Sequence, residues 1–308
     1  MFSLAPWHFI CCKMQKDRLS NLLHLHFIVF IYGFTAILGK LISLDSLSLV
    51  WYRMGSASLF ILGYILLSKF KLRITTKTFM WLTFAGIVVA LHWVTFFLAI
   101  KVSTVSVALA MMSTGAFFTA LLEPILYKRK VISYEVFFGL LVMVGLYLIF
   151  RVEPSYSYGI VIALISAFLA ALFSIVNAQL VKENKPSIIS FYELGIGTLF
   201  LSLLLALQGN FTPEFFVLKV SDWWYLLILS LICTCYAFIA SVKIMRVLTA
   251  YTVMLTNNLE PVYGIILAWL FFGSEEQMNP LFYIGALIIL ATVIANGILK
   301  HKASKKQS

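Results

Sequence analysis

The chain places a carboxylic acid, an amide and a proline one helical turn apart inside an apolar run. In "YTVMLTNNLEPVYGIILAWLFFG", from Tyr251 to Gly273, Asn257, Glu260 and Pro261 fall on one helix face at i, i+3 and i+4. Glu260 lies about 16 Å into a helix that would cross a ~30 Å hydrocarbon core. An ionised side chain there costs at least ~2.5–3.5 kcal/mol, and Pro261 removes the backbone hydrogen bond to the Asn257 carbonyl. A freed carbonyl, an amide and a carboxyl together could bind a substrate amine, a proton or another cation. The competing structural reading is a tolerated kink with a neutral, hydrogen-bonded Glu260.

Other chemistry-bearing residues are few. His92, Trp93 and Phe96 mark an aromatic face on which His can carry a proton and Trp can stack on a cation. They join Asn257, Glu260 and Pro261 as the expected cavity residues, with a packed aromatic face as the alternative. Arg53 and Glu193 are the gate candidates. Both lie about two turns inside apolar runs, at what the orientation below makes opposite faces, so they are expected not to touch. Cys11, Cys12, Cys233 and Cys235 have neither CxxC spacing nor a His partner, so no metal, redox or cofactor site is expected. The pair Cys11–Cys12 could take a lipid, and Asn210-Phe211-Thr212 matches a glycosylation sequon as a chance occurrence beside Pro213.

The elements that must position these residues follow from composition. Of 308 residues, 62% are hydrophobic and 11% charged, with mean hydropathy +1.00. A soluble domain needs far more charge to cover its surface, so the expected partner of most of this chain is a lipid bilayer. Ten spans are expected, at about 22–42, 46–68, 79–100, 104–127, 131–151, 157–180, 187–208, 222–243, 248–272 and 280–299. The formal net charge of +11 is distributed by loop. Eighteen of the 23 Lys and Arg fall on alternate loops, beginning with Lys13, Lys16 and Arg18 and then Lys69, Lys71, Arg73 and Lys77; four fall on the others, and Arg53 lies inside a span. Basic loops stay cytoplasmic, which predicts a multi-pass cell-membrane protein with both termini inside. The same pattern argues against a nucleic-acid partner. Residues 1–21 are expected to be an N-terminal tail, its first thirteen residues either a mis-assigned start ahead of Met14 or a disordered tail; residues 300–308 are expected to be a basic cytoplasmic tail.

The two halves resemble each other. "FFLAIKVSTVSVALAMMSTGAFFTALL" from Phe96 lies over "SVKIMRVLTAYTVMLTNNLEPVYGIIL" from Ser241 at an offset of 145, which puts Lys101 on Arg246 and Thr104 on Thr249. "WYRMGSASLF" from Trp51 lies over "FYELGIGTLF" from Phe191, pairing Arg53 with Glu193. Five spans is an odd number, so the second unit enters from the opposite side. The expected fold is therefore all-α integral membrane, with two inverted five-helix repeats over residues 22–151 and 157–299, a transporter arrangement.

Ten spans as five plus five, "YGF" at Tyr32–Phe34 and "LEPVYGIILAWLFFGSE" at Leu259–Glu275 resemble the drug/metabolite transporter superfamily of the EamA type. The first half departs from the pattern: "LLEPILYKRK" carries its proline at Pro124, later than the repeat register places it, and no Gly-x-Glu follows. The resemblance implies a secondary carrier that exports amino acids or other small metabolites by alternating access, with no catalytic residues. Glu260 and His92 are the titratable groups available to a coupling proton. A small-residue stripe in the sixth span (Ala163, Ala167 and Ala171; Ser166, Ala170, Ser174 and Ala178) reads as helix packing. Two other classes are weighed against the carrier. A lipid-phosphate enzyme would need paired acids or His at a span end, whereas Asp45, Glu153, Glu214, Asp222, Glu275 and Glu276 look scattered; a structural or sensory membrane protein would need no cavity.

Overall fold

The structure, a computed structural model, describes the backbone of residues 5–127 and 133–307. Among these residues it is helical throughout: α1 (Ala5–Leu41), α2 (Ser46–Leu67), α3 (Thr76–Val102), α4 (Val105–Met112), α5 (Gly115–Tyr127), α6 (Ser133–Val152), α7 (Ser157–Glu183), α8 (Pro186–Leu207), α9 (Val220–Ser230), α10 (Ala237–Ile244), α11 (Ala250–Asn257), α12 (Glu260–Phe272) and α13 (Pro280–Gln307). Three pairs form single rods, α4 with α5, α9 with α10 and α11 with α12, so ten rods cross the molecule.

Seven rods hold apolar stretches of 22 to 30 residues, long enough to cross a bilayer; the stretches Phe137–Val152 and Pro280–Thr292 are shorter. Large apolar side chains such as Leu59, Leu67, Trp269, Leu270 and Phe271 point outward. That is a surface made for lipid, with backbone polar groups satisfied inside helices. The rods begin and end where the sequence places spans, except at the two ends of the chain. There α1 starts at Ala5 and α13 continues to Gln307, so regions expected as tails are helical. No Gly or Pro lies between Trp7 and Tyr32 or after Ile298, and Lys, Gln, Arg and Ala favour helix without needing lipid.

Packing obeys an exchange symmetry. α3 packs on α7 as the α9–α10 rod packs on α1; α8 packs on α3 as α9 packs on α2; α12 packs on α1 as α4 and α5 pack on α7. α2 with α8, α4 with α12 and α6 with α13 meet as counterparts. Small residues permit these approaches. A Cβ on Gly86 would sit 2.7 Å from the Glu193 carbonyl oxygen, where α3 crosses α8. Cβ atoms on Gly145 and Gly285 would each meet the other's carbonyl at 2.9 Å.

Local capping repeats as well. Thr104 caps α4 by accepting from the Val107 N–H, and Thr249 caps α11 by accepting from the Thr252 N–H. The Lys101 Nζ donates to the Ile42 carbonyl just past α1, while Arg246 donates to the carbonyls of Val181 and Asn184 at the end of α7. The same third-helix cation thus closes the C-terminus of the first helix in each unit, where the carbonyls lack helical partners.

The fourth and ninth rods break at matching places. α4 ends at Met112 and α5 starts at Gly115; α11 ends at Asn257 and α12 starts at Glu260. Pro261 sits in the first turn of α12, a tolerated position. Pro124 lies inside α5, well past the break. In the first unit the break forms without proline: Ser113 Oγ and Thr114 Oγ1 donate to the Ala110 and Met111 carbonyls at 2.6 and 2.7 Å. Such local side-chain bonds compete with the helix ladder.

Candidate functional site

The broken rods flank a cavity of about 80 Å³ between the two units. α1 contributes Tyr32 and Thr35, α2 Arg53, α3 His92, Trp93 and Phe96, α7 Phe173 and Ser174, α10 Phe238 and Ser241, and the α11–α12 rod Asn257 and Glu260. Every expected cavity residue except Pro261 lines it. Pro261 is buried behind the wall, and Asn258 beside it is 1% exposed.

Arg53 also lines this cavity, although the sequence set it apart as a gate. It is 2% exposed. Its Nε donates to Thr234 Oγ1 at 2.7 Å and its Nη2 to the Cys233 carbonyl at 3.5 Å. The guanidinium carbon lies 3.8 Å from the centre of the Trp93 ring, a desolvated cation–π contact worth ~2 kcal/mol. Thr234 and Cys233 belong to a π-helical stretch, Leu231–Tyr236, between α9 and α10. The wider turn lets Thr234 Oγ1 donate to the Leu229 carbonyl five residues back, and such bulges are common at functional sites. Arg53, a cation, and Glu260, an acid, face the same space, yet no ion pair joins them among the described residues.

His92 is fixed rather than free. Its Nδ1 lies 3.0 Å from the Ser166 carbonyl and 2.8 Å from Ser166 Oγ, and Ser166 Oγ donates to the His92 carbonyl. A carbonyl only accepts, so Nδ1 carries a proton. The small-residue stripe of α7 thus also anchors the ring that borders the cavity, beyond packing alone.

Glu193 lies elsewhere. It is fully buried on α8 against α3 and α7, where Asn177 Nδ2 donates to its Oε2 at 3.2 Å. No ion pair or hydrogen bond joins Arg53 to Glu193 among the described residues.

The cavity lining reaches Met245, just past α10, at the end of the molecule marked by Lys243 and Arg246. Towards the opposite end it stops at Arg53 and Phe96, about 10 Å short of the α2 and α3 termini. That opposite end is bonded shut. Glu276, 1% exposed, accepts from Lys40 Nζ (3.0 Å), from the N–H groups of Val105 and Ser106 (3.1 and 2.9 Å) and from Ser106 Oγ (2.8 Å). Its carboxylate sits on the N-terminus of α4, where helix dipole and unpaired N–H groups favour an anion. Nearby, Asp222 accepts from the N–H and Oγ of Ser43. Of the acids that look scattered in sequence, Glu275 and Glu276 share Lys40 here. The contact of Glu276 with α4 also fixes chain direction: the end of the ninth rod meets the start of the fourth, so these counterparts run antiparallel.

Ten helical rods in two antiparallel sets around an aromatic-walled cavity that holds Arg53 and Glu260 define a multi-pass membrane protein. Residues 21–151 and again 157–297 match the model of the EamA-like transporter family, and the chain belongs to that family of membrane transporters. Two Archaeoglobus fulgidus proteins named "uncharacterized transporter" are similar at 23% identity. One aligns over 297 residues, 94% of this chain and all of the relative; the other over 152 residues, 49% of this chain and 52% of the relative. A crystal structure aligns with TM-score 0.65 over 91% of this chain and 98% of its own at 16% identity, which shows a shared fold.

Proposed function

We propose that this transporter is a secondary carrier that exports a small zwitterionic metabolite, an amino acid or a close analogue, by alternating access. The observation that carries the reading is the unpaired opposition of Arg53 and Glu260 across one aromatic-walled cavity. A carboxylate suits the Arg53 guanidinium, an ammonium suits Glu260 and Asn257, and the rings of Trp93, Phe96 and Phe173 accept the apolar part. The cavity of about 80 Å³ is small beside the ~300 Å³ and more of typical ligand pockets, so a metabolite requires the rods to loosen. Residues 22–151 and 157–299 are the two units that exchange packings in this reading. In this reading the Lys- and Arg-rich end is cytoplasmic, with both termini on that side and the cavity facing inward. Transport rather than catalysis is the activity, and an ion gradient, protons foremost, supplies the energy.

The test is exchange of labelled amino acids in proteoliposomes. Glu260→Gln and Asn257→Ala should impair flux while expression and thermal stability hold; full flux in both would reject the site.

A further inference from the structure

Apart from the cavity, the interface of α7 and α8 buries a cluster of polar atoms with an unsolved hydrogen-bond problem. Glu193 Oε1, Asn177 Oδ1 and Ser190 Oγ are all buried and take no hydrogen bond among the described residues. They belong together: Ser190 precedes Glu193 by one turn on α8, and Asn177 is bonded to the other Glu193 oxygen. An ionised carboxylate has no hydrogen to give, and neither has an amide oxygen. Unsatisfied buried acceptors cost ~1–3 kcal/mol each, more when charged.

Among the described residues no cation relieves the charge. α3 presents Gly86 to Glu193, and its His92 is held by Ser166. Arg53 on α2 is turned to Thr234. Arg246, beyond α10, is held by the Val181 and Asn184 carbonyls, and Lys185 at the start of α8 lies over the Phe70 ring. A metal ion is a poor occupant, since hard cations want about six oxygens and the cluster offers three unpaired ones. One proton on Oε1 pairs two of the three atoms, Glu193 Oε1 and Asn177 Oδ1. The acid O–H donates to Asn177 Oδ1 while Asn177 Nδ2 continues to donate to Oε2, which closes a two-bond acid–amide pair.

We propose that Glu193 is a proton-binding site, loaded in the arrangement described here, and that it carries the coupling proton of the transport cycle. The coupling role rests on the carrier reading above; the proton site does not. Glu193 and Asn177 lie about 10 Å from the Arg246 end of their helices, the end towards which the cavity extends. Parting of α3 from α8 there admits water, which takes the proton as hydronium. The carboxylate left behind accepts from Asn177 Nδ2 and from the Ser190 hydroxyl.

Infrared difference spectroscopy on the full chain in lipid vesicles, titrated from about pH 6 to about pH 10, reads the site directly. A protonated-carboxyl band should fade with rising pH in the wild type, be missing in Glu193→Gln and persist in Glu260→Gln. Glutamine can form the same two-bond pair with Asn177, so that variant is expected to fold; should it not, Asn177→Ala must move the midpoint of the band. A band unchanged in Glu193→Gln, an unmoved midpoint in Asn177→Ala, or displacement of the band by sodium at constant pH overturns the site. For coupling, an amino-acid mixture is the probe. Glu193→Gln should lose pH-gradient-driven accumulation and keep exchange at equal pH. Loss of both, or of neither, overturns the coupling role, and a wild type that moves no amino acid defeats the carrier reading while the band still decides the proton site.

Discussion

Glu276→Gln should release the sealed end of the molecule. The carboxylate takes four donors on two oxygens: Lys40 Nζ and Val105 N–H on Oε1, Ser106 N–H and Oγ on Oε2. Glutamine keeps the shape but offers one oxygen, so two donors meet an NH₂ group instead, and the favourable charge on the α4 N-terminus is lost. Hydrogen bonds to a charged group contribute ~1.5–3 kcal/mol each, and the dipole ~0.3–1. In an open form the same donors reach water, so the loss falls on the closed form alone. Taking the low end, about 3 kcal/mol is roughly a 150-fold shift in the equilibrium. That turns a mixture of about 1:99 into one of about 3:2 in favour of the open form. Spin labels at Val102 and Gln277, both exposed beside the contact, read the change as a longer, broader distance distribution. A distribution identical to that of the wild type would refute the reasoning.

Two further outcomes follow from the packing. Gly86→Val should prevent stable folding or lower the unfolding temperature sharply, since any Cβ there meets the Glu193 backbone at 2.7 Å and overpacking costs ~1–3 kcal/mol or more; thermal unfolding in detergent measures it. Arg53→Lys keeps the charge but loses the planar contact with Trp93 and one of two hydrogen bonds, so apparent substrate affinity in the exchange assay should fall about 30-fold for ~2 kcal/mol, with insertion unchanged.

Much of the architecture could be read from the chain because lipid is an undemanding but strict solvent. Apolar runs of span length, separated by short basic loops, leave few alternatives. The offset that lays Lys101 on Arg246 and Thr104 on Thr249 reappears as two cations capping equivalent helix ends and two threonines capping equivalent helix starts. The break after Met112 carried no proline to announce it, because two hydroxyls do the same work through short-range bonds. Arg53 was read by its distance from a span end, which gives depth but not direction. Its place in the cavity depends on Thr234 and Cys233 in a π-helical turn that no residue pattern signals. The Glu276 contact was invisible for a different reason: it joins residues 236 and 170 positions apart in the chain, and only the fold brings them together.

At the repeat offset that acidic bolt has no acidic counterpart in the sequence. Counting back 145 positions from Gly273–Glu276, the chain reads Lys128, Arg129, Lys130 and Val131, with no acid among them. Two near-copies of one scaffold therefore do not give two equivalent ways of being shut. In the carrier reading proposed above, an idle molecule would wait locked on the Glu276 side, and unlocking that side would set the pace of each cycle. Net direction is untouched by this bias, because the concentration differences across the bilayer decide it; what the missing acid sets is which compartment finds the carrier ready first.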